Sequence, residues 1–352
     1  MNIHKQKVLF VLSTTMQIIT ALHLINSYSL RADIICLVDD LPCAKEYAVK
    51  LERLGIFERV RLVSSRGNED LSLQTYDEIF VTNNVFLWSY QKQLIRSKAN
   101  VSIFDEGIMC YLTRFVEECY RCCESKTIYL YEPTLANFYG DKRFIIKEIP
   151  KIESTNTTLL NQLNVVFDVN VAEVLSSDLD TLHVFFSQPF EHKLSVKAKL
   201  RKIFKIRRSH SNWEYISEAY GKYQRNIIET MQQTGLSLYR KYHPREKERV
   251  IDEYTIQLEY PWELYVLQHP HTRVVKYSLF SSVLTSSFVL SDSYDIKNYY
   301  LYPIVVKELK QCGYKDSLDN DLLTFFDRLV KVGKVIPVYS LAELERICEN
   351  EV

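Results

Sequence analysis

Val101-Ser102-Ile103-Phe104-Asp105-Glu106-Gly107 is a short β-prone run that stops at two acids and a glycine. It reads as a strand with both carboxyl groups at its carboxyl end. In a parallel α/β sheet that end is where ligands bind. Working outward, similar runs occur at Val8–Leu12, Ile34–Val38, Val60–Val63, Glu78–Val81 and Ile128–Tyr131. Helical stretches separate them, such as Ala44–Leu54 and Phe86–Ile95, with another starting near Met16. Strands alternating with helices at this spacing predict a parallel sheet with crossover connections.

The alternation then repeats. Phe144 to about Leu179 reads as a connection with a helix near Leu159–Val166. A new apolar strand follows at Leu182–Phe186, then a helix at about Trp213–Gln233 and a strand at Ser237–Tyr242. Beyond these come a short helix at Trp262–Leu267, a strand at Val274–Leu279, a helix from Ser281, a strand at Tyr299–Val305 and a helix at about Leu322–Val330. A chain of 352 residues is long for one core and suits two of about 150–180 residues. The predicted domains are 1–178 and 179–352, each α/β and Rossmann-like, facing each other across a cleft.

Composition narrows the function classes. Lys plus Arg and Asp plus Glu each total 44, and a zero net charge argues against a general nucleic-acid binder. Val8 to Ile25 is apolar, but Ser13, Thr14, Thr15, Gln17, Thr20 and His23 interrupt it, and a spanning helix needs about 20 predominantly apolar residues. The expectation is a cytoplasmic protein that begins directly with its fold. Residues 193–208 carry eight Lys and Arg and no acid, with apolar residues interleaved. Such a segment suits the anionic inner face of the cell membrane, or is a solvated face. Cys119, Cys122 and Cys123 lack a second ligand pair at zinc-site spacing and read as reduced thiols.

Four short constellations could carry chemistry. Asp105-Glu106-Gly107 offers a carboxylate that can take a proton from a hydroxyl, or is an ordinary turn. His243-Pro244 holds an imidazole on extended chain, where it can donate to a leaving group; His269-Pro270 shows how common the dipeptide is. Ser281-Ser282 after a strand suits an anion at a helix start, or is a plain cap. Pro261-Trp262-Glu263 is helix-start chemistry, or a carboxylate for two ribose hydroxyls.

Taken in order, these motifs resemble the bacterial sialyltransferases, most closely glycosyltransferase family 52, the lipooligosaccharide sialyltransferases of GT-B fold. Asp105-Glu106-Gly107 matches the family's acidic pair plus Gly, His243-Pro244 its His-Pro motif, and Ser281-Ser282 its serine pair. The opening turn with Thr15-x-Gln17 also looks like the family's N-terminus. The resemblance spans about residues 8 to 290. It implies Asp105 as general base toward the acceptor hydroxyl and His243 as donor to the departing CMP phosphate. It further implies Ser281, Ser282 and Pro244 around the donor, Glu263 on its ribose, and Thr15, Gln17, Glu106 and Gly107 as substrate-binding positions. Inversion, no metal or other cofactor, a nucleotide-sugar donor, a glycan acceptor and a homodimer complete the expectation. Two alternatives stay open: a relative using another nucleotide sugar, such as a glucosyl donor, and a non-catalytic envelope or capsule assembly protein. A dinucleotide-binding dehydrogenase is set aside, because Leu12-Ser13-Thr14-Thr15-Met16-Gln17 holds none of the glycines of G-x-G-x-x-G.

Overall fold

Seven parallel strands form the first sheet in a computed structural model of the chain, which describes residues 6–169, 180–189, 212–243, 246, 249–311 and 318–352. They are β1 (Lys7–Leu12), β2 (Arg31–Leu37), β3 (Val60–Val63), β4 (Glu78–Val81), β5 (Asn100–Phe104), β6 (Thr127–Leu130) and β7 (Ile145–Glu148). Their spatial order is β3-β2-β1-β4-β5-β6-β7. This is the doubly wound order, whose direction reverses between β1 and β4. Val8 to Leu12 are fully buried, as expected of a central parallel strand covered on both faces. Phe10 stacks on Phe80 at 4.4 Å and meets Phe104 edge-on at 5.6 Å, so β1, β4 and β5 share one aromatic core.

The second sheet is also parallel and runs β12-β11-β10-β8-β9. Its strands are β8 (Thr181–Phe186), β9 (Leu238–Lys241), β10 (Arg273–Ser278), β11 (Ile296–Tyr300) and β12 (Ile336–Pro337). The order is flavodoxin-like and reverses between β8 and β10. The chain is therefore α/β with two Rossmann-like parallel units. One unit holds the described residues of Met1–Ser177 with Glu259–Pro270 and Ser286–Ser293. The other holds those of Asp178–Leu258, His271–Thr285 and Tyr294–Val352. Two segments of the C-terminal half thus belong to the first unit. Ile152 donates to the Val289 carbonyl at 2.8 Å, and Gln268 Nε2 donates to Asn164 Oδ1 at 2.6 Å.

Several expectations are corrected. The predicted strand Tyr299–Val305 is β11, ending at Tyr300, followed by a helix at Tyr302–Gln311. Pro303 suits a first helical turn, and the β-branched run Ile304-Val305-Val306 forms part of a helix. The segment after Ser281 is a 3₁₀ helix, Ser282–Val289. Phe86–Ile95 is two helices, Asn84–Ser89 and Gln91–Ser97, broken at Tyr90. β7 lies inside the predicted connection. It is a largely exposed edge strand, so it lacks the apolar run that marks the central strands. Cys119, Cys122 and Cys123 sit on a helix, Thr113–Cys123, which buries the first two; burial holds the Cys123 thiol up at about 12.

Among the described residues no helix is long and apolar enough to cross a membrane. The basic segment 193–208 and Pro244 lie outside the described residues.

Candidate active site

The Asp105 turn is built by β5 and the chain that follows it. Gly107 adopts φ 122° and ψ −157°, a backbone region that is essentially glycine's alone. It redirects the chain that follows, while its own N–H donates to Asp105 Oδ1 at 2.9 Å. Asp105 Oδ2 accepts from the Tyr111 hydroxyl and from the Tyr131 N–H at 3.1 Å. Tyr131 follows β6, the neighbour of β5, so the carboxylate ties two adjacent strand ends together. Asp105 is only 3% exposed. Burial raises its pKa to about 6, against the pull of Tyr111, the two N–H donors and the Lys151 charge. It is thus mainly ionised at neutral pH. A carboxylate has about four acceptor positions, so Oδ1, with one N–H bound, keeps capacity for a substrate hydroxyl.

Glu106 is half-buried and behaves differently. Burial and the adjacent Asp105 charge raise its pKa to about 8. Two neighbouring carboxyl groups therefore divide into one ionised and one mainly protonated at pH 7, the pattern that separates acid from base roles.

The opening turn joins this site directly. Thr14 caps helix α1 (Thr15–Tyr28) in a capping box with Gln17. Gln17 Oε1 accepts from the Ser13 and Thr14 N–H groups, at 2.5 and 3.1 Å, and its Nε2 donates to Glu106 Oε2 at 2.5 Å. Two motifs 89 residues apart in sequence thus form one hydrogen-bonded unit, at the carboxyl ends of β1 and β5. Thr15 opens the helix and is half-buried. Behind the turn, His23 Nδ1 lies 3.1 Å from the Tyr131 hydroxyl, and burial depresses the imidazole to about 4.

In the second unit, His243 follows β9 and is half-buried. Its N–H donates to Glu246 Oε2 at 3.2 Å, and its carbonyl accepts from the Glu246 N–H at 2.9 Å. Ser281 follows β10, and its hydroxyl accepts from the Val283 N–H at 3.3 Å, the ordinary work of a cap. Ser282 is exposed. Beneath them Lys276, fully buried in β10, donates to the Val283 carbonyl at 2.9 Å and anchors the serine segment. Glu263 stands in the first turn of the helix Trp262–Gln268, which belongs to the first unit, whereas Ser281 and Ser282 belong to the second.

Three positions of this geometry lie outside the sequence motifs. Tyr111 and Tyr131 reach Asp105 only through the fold. Glu246 had a readable signal, because an acid three residues after His243 can close a turn on it. Among the described residues no group of three or more His, Cys, Asp or Glu side chains is placed to hold a metal ion.

A scan against protein-family models finds no match to this chain, and a search of curated proteins finds none either. Solved structures do overlap it. One is described as a UDP-N-acetylglucosamine 2-epimerase from Listeria monocytogenes, at TM-score 0.40 and 8% identity, covering 98% of this chain and 91% of that one. Another is HepE of Anabaena, solved with UDP and glucose, at TM-score 0.40 and 11% identity, covering 98% of this chain and 95% of that one.

Proposed function

We propose that the chain is an inverting, metal-independent glycosyltransferase of GT-B type that moves sialic acid from CMP-sialic acid to a hydroxyl of a terminal sugar, in first place galactose, on a cell-surface glycan. The observation that carries this reading is the Gln17–Glu106 bridge beside the buried Asp105. It makes one site of the opening-turn and acidic motifs on which the sialyltransferase resemblance rests.

Asp105, the ionised member of the acidic pair, takes the proton of the acceptor hydroxyl. Its three hydrogen bonds fix the carboxylate, so little reorganisation accompanies the transfer. Glu106, held by Gln17, donates a hydrogen bond to the acceptor. His243 gives a proton or hydrogen bond to the departing phosphate, which Ser281 and Ser282 bind, with Pro244 as a further donor-binding position. Glu263 takes the ribose. The anomeric centre of sialic acid is tertiary and bears a carboxylate, so the transition state is oxocarbenium-like. The remaining work is positioning and stabilising the leaving group. The basic segment 193–208 would hold the enzyme at the anionic inner face of the membrane.

The test is direct. Purified protein is incubated with CMP-sialic acid and a panel of galactosides, and CMP release and transfer are followed. UDP-sugars run in parallel. Transfer from CMP-sialic acid supports the reading. Consumption of a UDP-sugar alone assigns the chain to another donor, and turnover of no nucleotide sugar favours the non-catalytic alternative.

A further inference from the structure

Glu246 has no part in the chemistry above, yet it is 5% exposed and its carboxylate is held from three directions. Oε2 accepts from the Ser187 hydroxyl at 2.5 Å and from the His243 N–H at 3.2 Å. Oε1 accepts from Arg240 Nη2 at 3.1 Å. The Glu246 N–H returns to the His243 carbonyl at 2.9 Å and closes the turn. Arg249 clips the same turn from outside, onto the Glu246 carbonyl at 3.0 Å and the His243 carbonyl at 3.4 Å.

These partners have a common address. Ser187 leaves the carboxyl end of β8, beside β10, where the order of the second sheet reverses and ligands of such sheets bind. Its N–H also reaches the Lys241 carbonyl at the end of β9, at 3.1 Å. The next residue, Gln188, is held at 2.8 Å by Gln224, a buried side chain on the helix Asn212–Gln233. Arg240 lies over the Tyr242 ring at 4.1 Å, which restrains its guanidinium. A buried ion pair adds little stability over well-packed apolar groups, so stability alone is a poor reason to keep one here. Its use is geometric, because one carboxylate oxygen bonds the backbone of His243 and the hydroxyl of the switch-point loop at once.

We infer that Glu246 is a positioning residue that locks the His243 turn onto the Ser187-Gln188 loop and so presents the imidazole to the leaving group in a fixed place. The inference rests on the reading of His243 as the group that assists departure. A side chain held by a neighbouring hydrogen-bonded shell keeps its productive geometry, and small misplacement is enough to slow the reaction.

Two measurements test it. The first is a cycle of wild type, His243→Ala, Glu246→Ala and the double variant, with Glu246→Gln as the variant that keeps the fold and one acceptor oxygen. Each is assayed with the nucleotide sugar that the wild type consumes. Glu246→Ala should lower kcat by roughly tenfold or more with KM for that sugar nearly unchanged, and Glu246→Gln should recover part of the loss. The double variant should be no slower than His243→Ala, because a residue acting only through His243 has nothing left to position. Slowing by the same factor in both backgrounds, or a Glu246→Ala enzyme at the wild-type rate, overturns the inference. A His243→Ala enzyme at the wild-type rate overturns the acid assignment, and the positioning role with it. The second measurement needs no turnover. Amide exchange of the peptide spanning Tyr242–Val250 should accelerate by about tenfold in Glu246→Gln, the scale of one lost charge-assisted hydrogen bond, with peptides of the first unit unchanged. Unchanged exchange in that peptide rejects the lock even where rates agree.

Discussion

Gly107→Ala puts a side chain at φ 122° and ψ −157°. Holding a non-glycine residue in that region costs on the order of 1–3 kcal/mol. Because the chain on either side is packed, relief of that strain shifts the 106–107 peptide, which draws the Gly107 N–H away from Asp105 Oδ1, now 2.9 Å distant. Losing a hydrogen bond to a charged group costs about 1.5–3 kcal/mol. Residual strain and a weakened hydrogen bond act together, so the expected destabilisation is about 3 kcal/mol. For a unit of roughly 200 residues, about 2–4 °C per kcal/mol lowers its midpoint by about 6–12 °C. Gly55→Ala is the control. Gly55 sits at φ 65° with nothing within 4 Å of an added Cβ, so only the left-handed penalty of about 1–2 kcal/mol applies. Thermal melts by circular dichroism and urea melts by tryptophan fluorescence should separate the two. Equal effects, within about 0.5 kcal/mol, would show that the turn does not need its glycine and that the Asp105 contact is incidental.

Other outcomes follow from the same geometry. Asp105→Asn and His243→Ala should each lower turnover by roughly a hundredfold or more, the usual scale for general acid–base loss; near-normal steady-state rates in either variant remove that residue from the mechanism. Gln17→Ala deletes the donor that partly restrains Glu106, so the Glu106 pKa should rise above about 8 and the matching limb of the pH–rate profile should move to higher pH. A profile that moves down, or stays, contradicts the bridge. His23 titrates at about 4 folded against 6.5 free. Its contribution is present above pH 6.5 and lost as pH falls toward 4, about 3 kcal/mol in all. His23→Gln should flatten acid destabilisation in that window, read from urea midpoints at several pH values. Glu106, raised from 4.5 to about 8, has the opposite sign: stability is present below 4.5 and lost as pH rises through 8. Glu106→Gln should therefore gain most over wild type above pH 8, and an equal gain at pH 4 and pH 9 contradicts the assignment.

The sequence by itself determined the α/β class and six of the seven strands of the first sheet. Val60–Val63 and Glu78–Val81 are strands to the residue, the first an edge strand marked by its β-branched valines, the second an interior strand buried along its whole length. It also determined which short motifs were candidates, since turns and caps depend on local residue chemistry. Strand order, the largely exposed β7, the helix at Tyr302–Gln311 and the return of Glu259–Pro270 to the first unit were decided only by tertiary packing. None of these is specified by neighbours along the chain. The same holds for the chemistry of the acidic pair. Asp105-Glu106 in a peptide is two ordinary carboxylates. Burial lifts both; Tyr111 and the Tyr131 and Gly107 N–H groups hold Asp105 near 6, and the Asp105 charge drives Glu106 to near 8 against the pull of a glutamine from the opening helix. Desolvation and partner geometry are properties of the folded surroundings, which sequence spacing does not record.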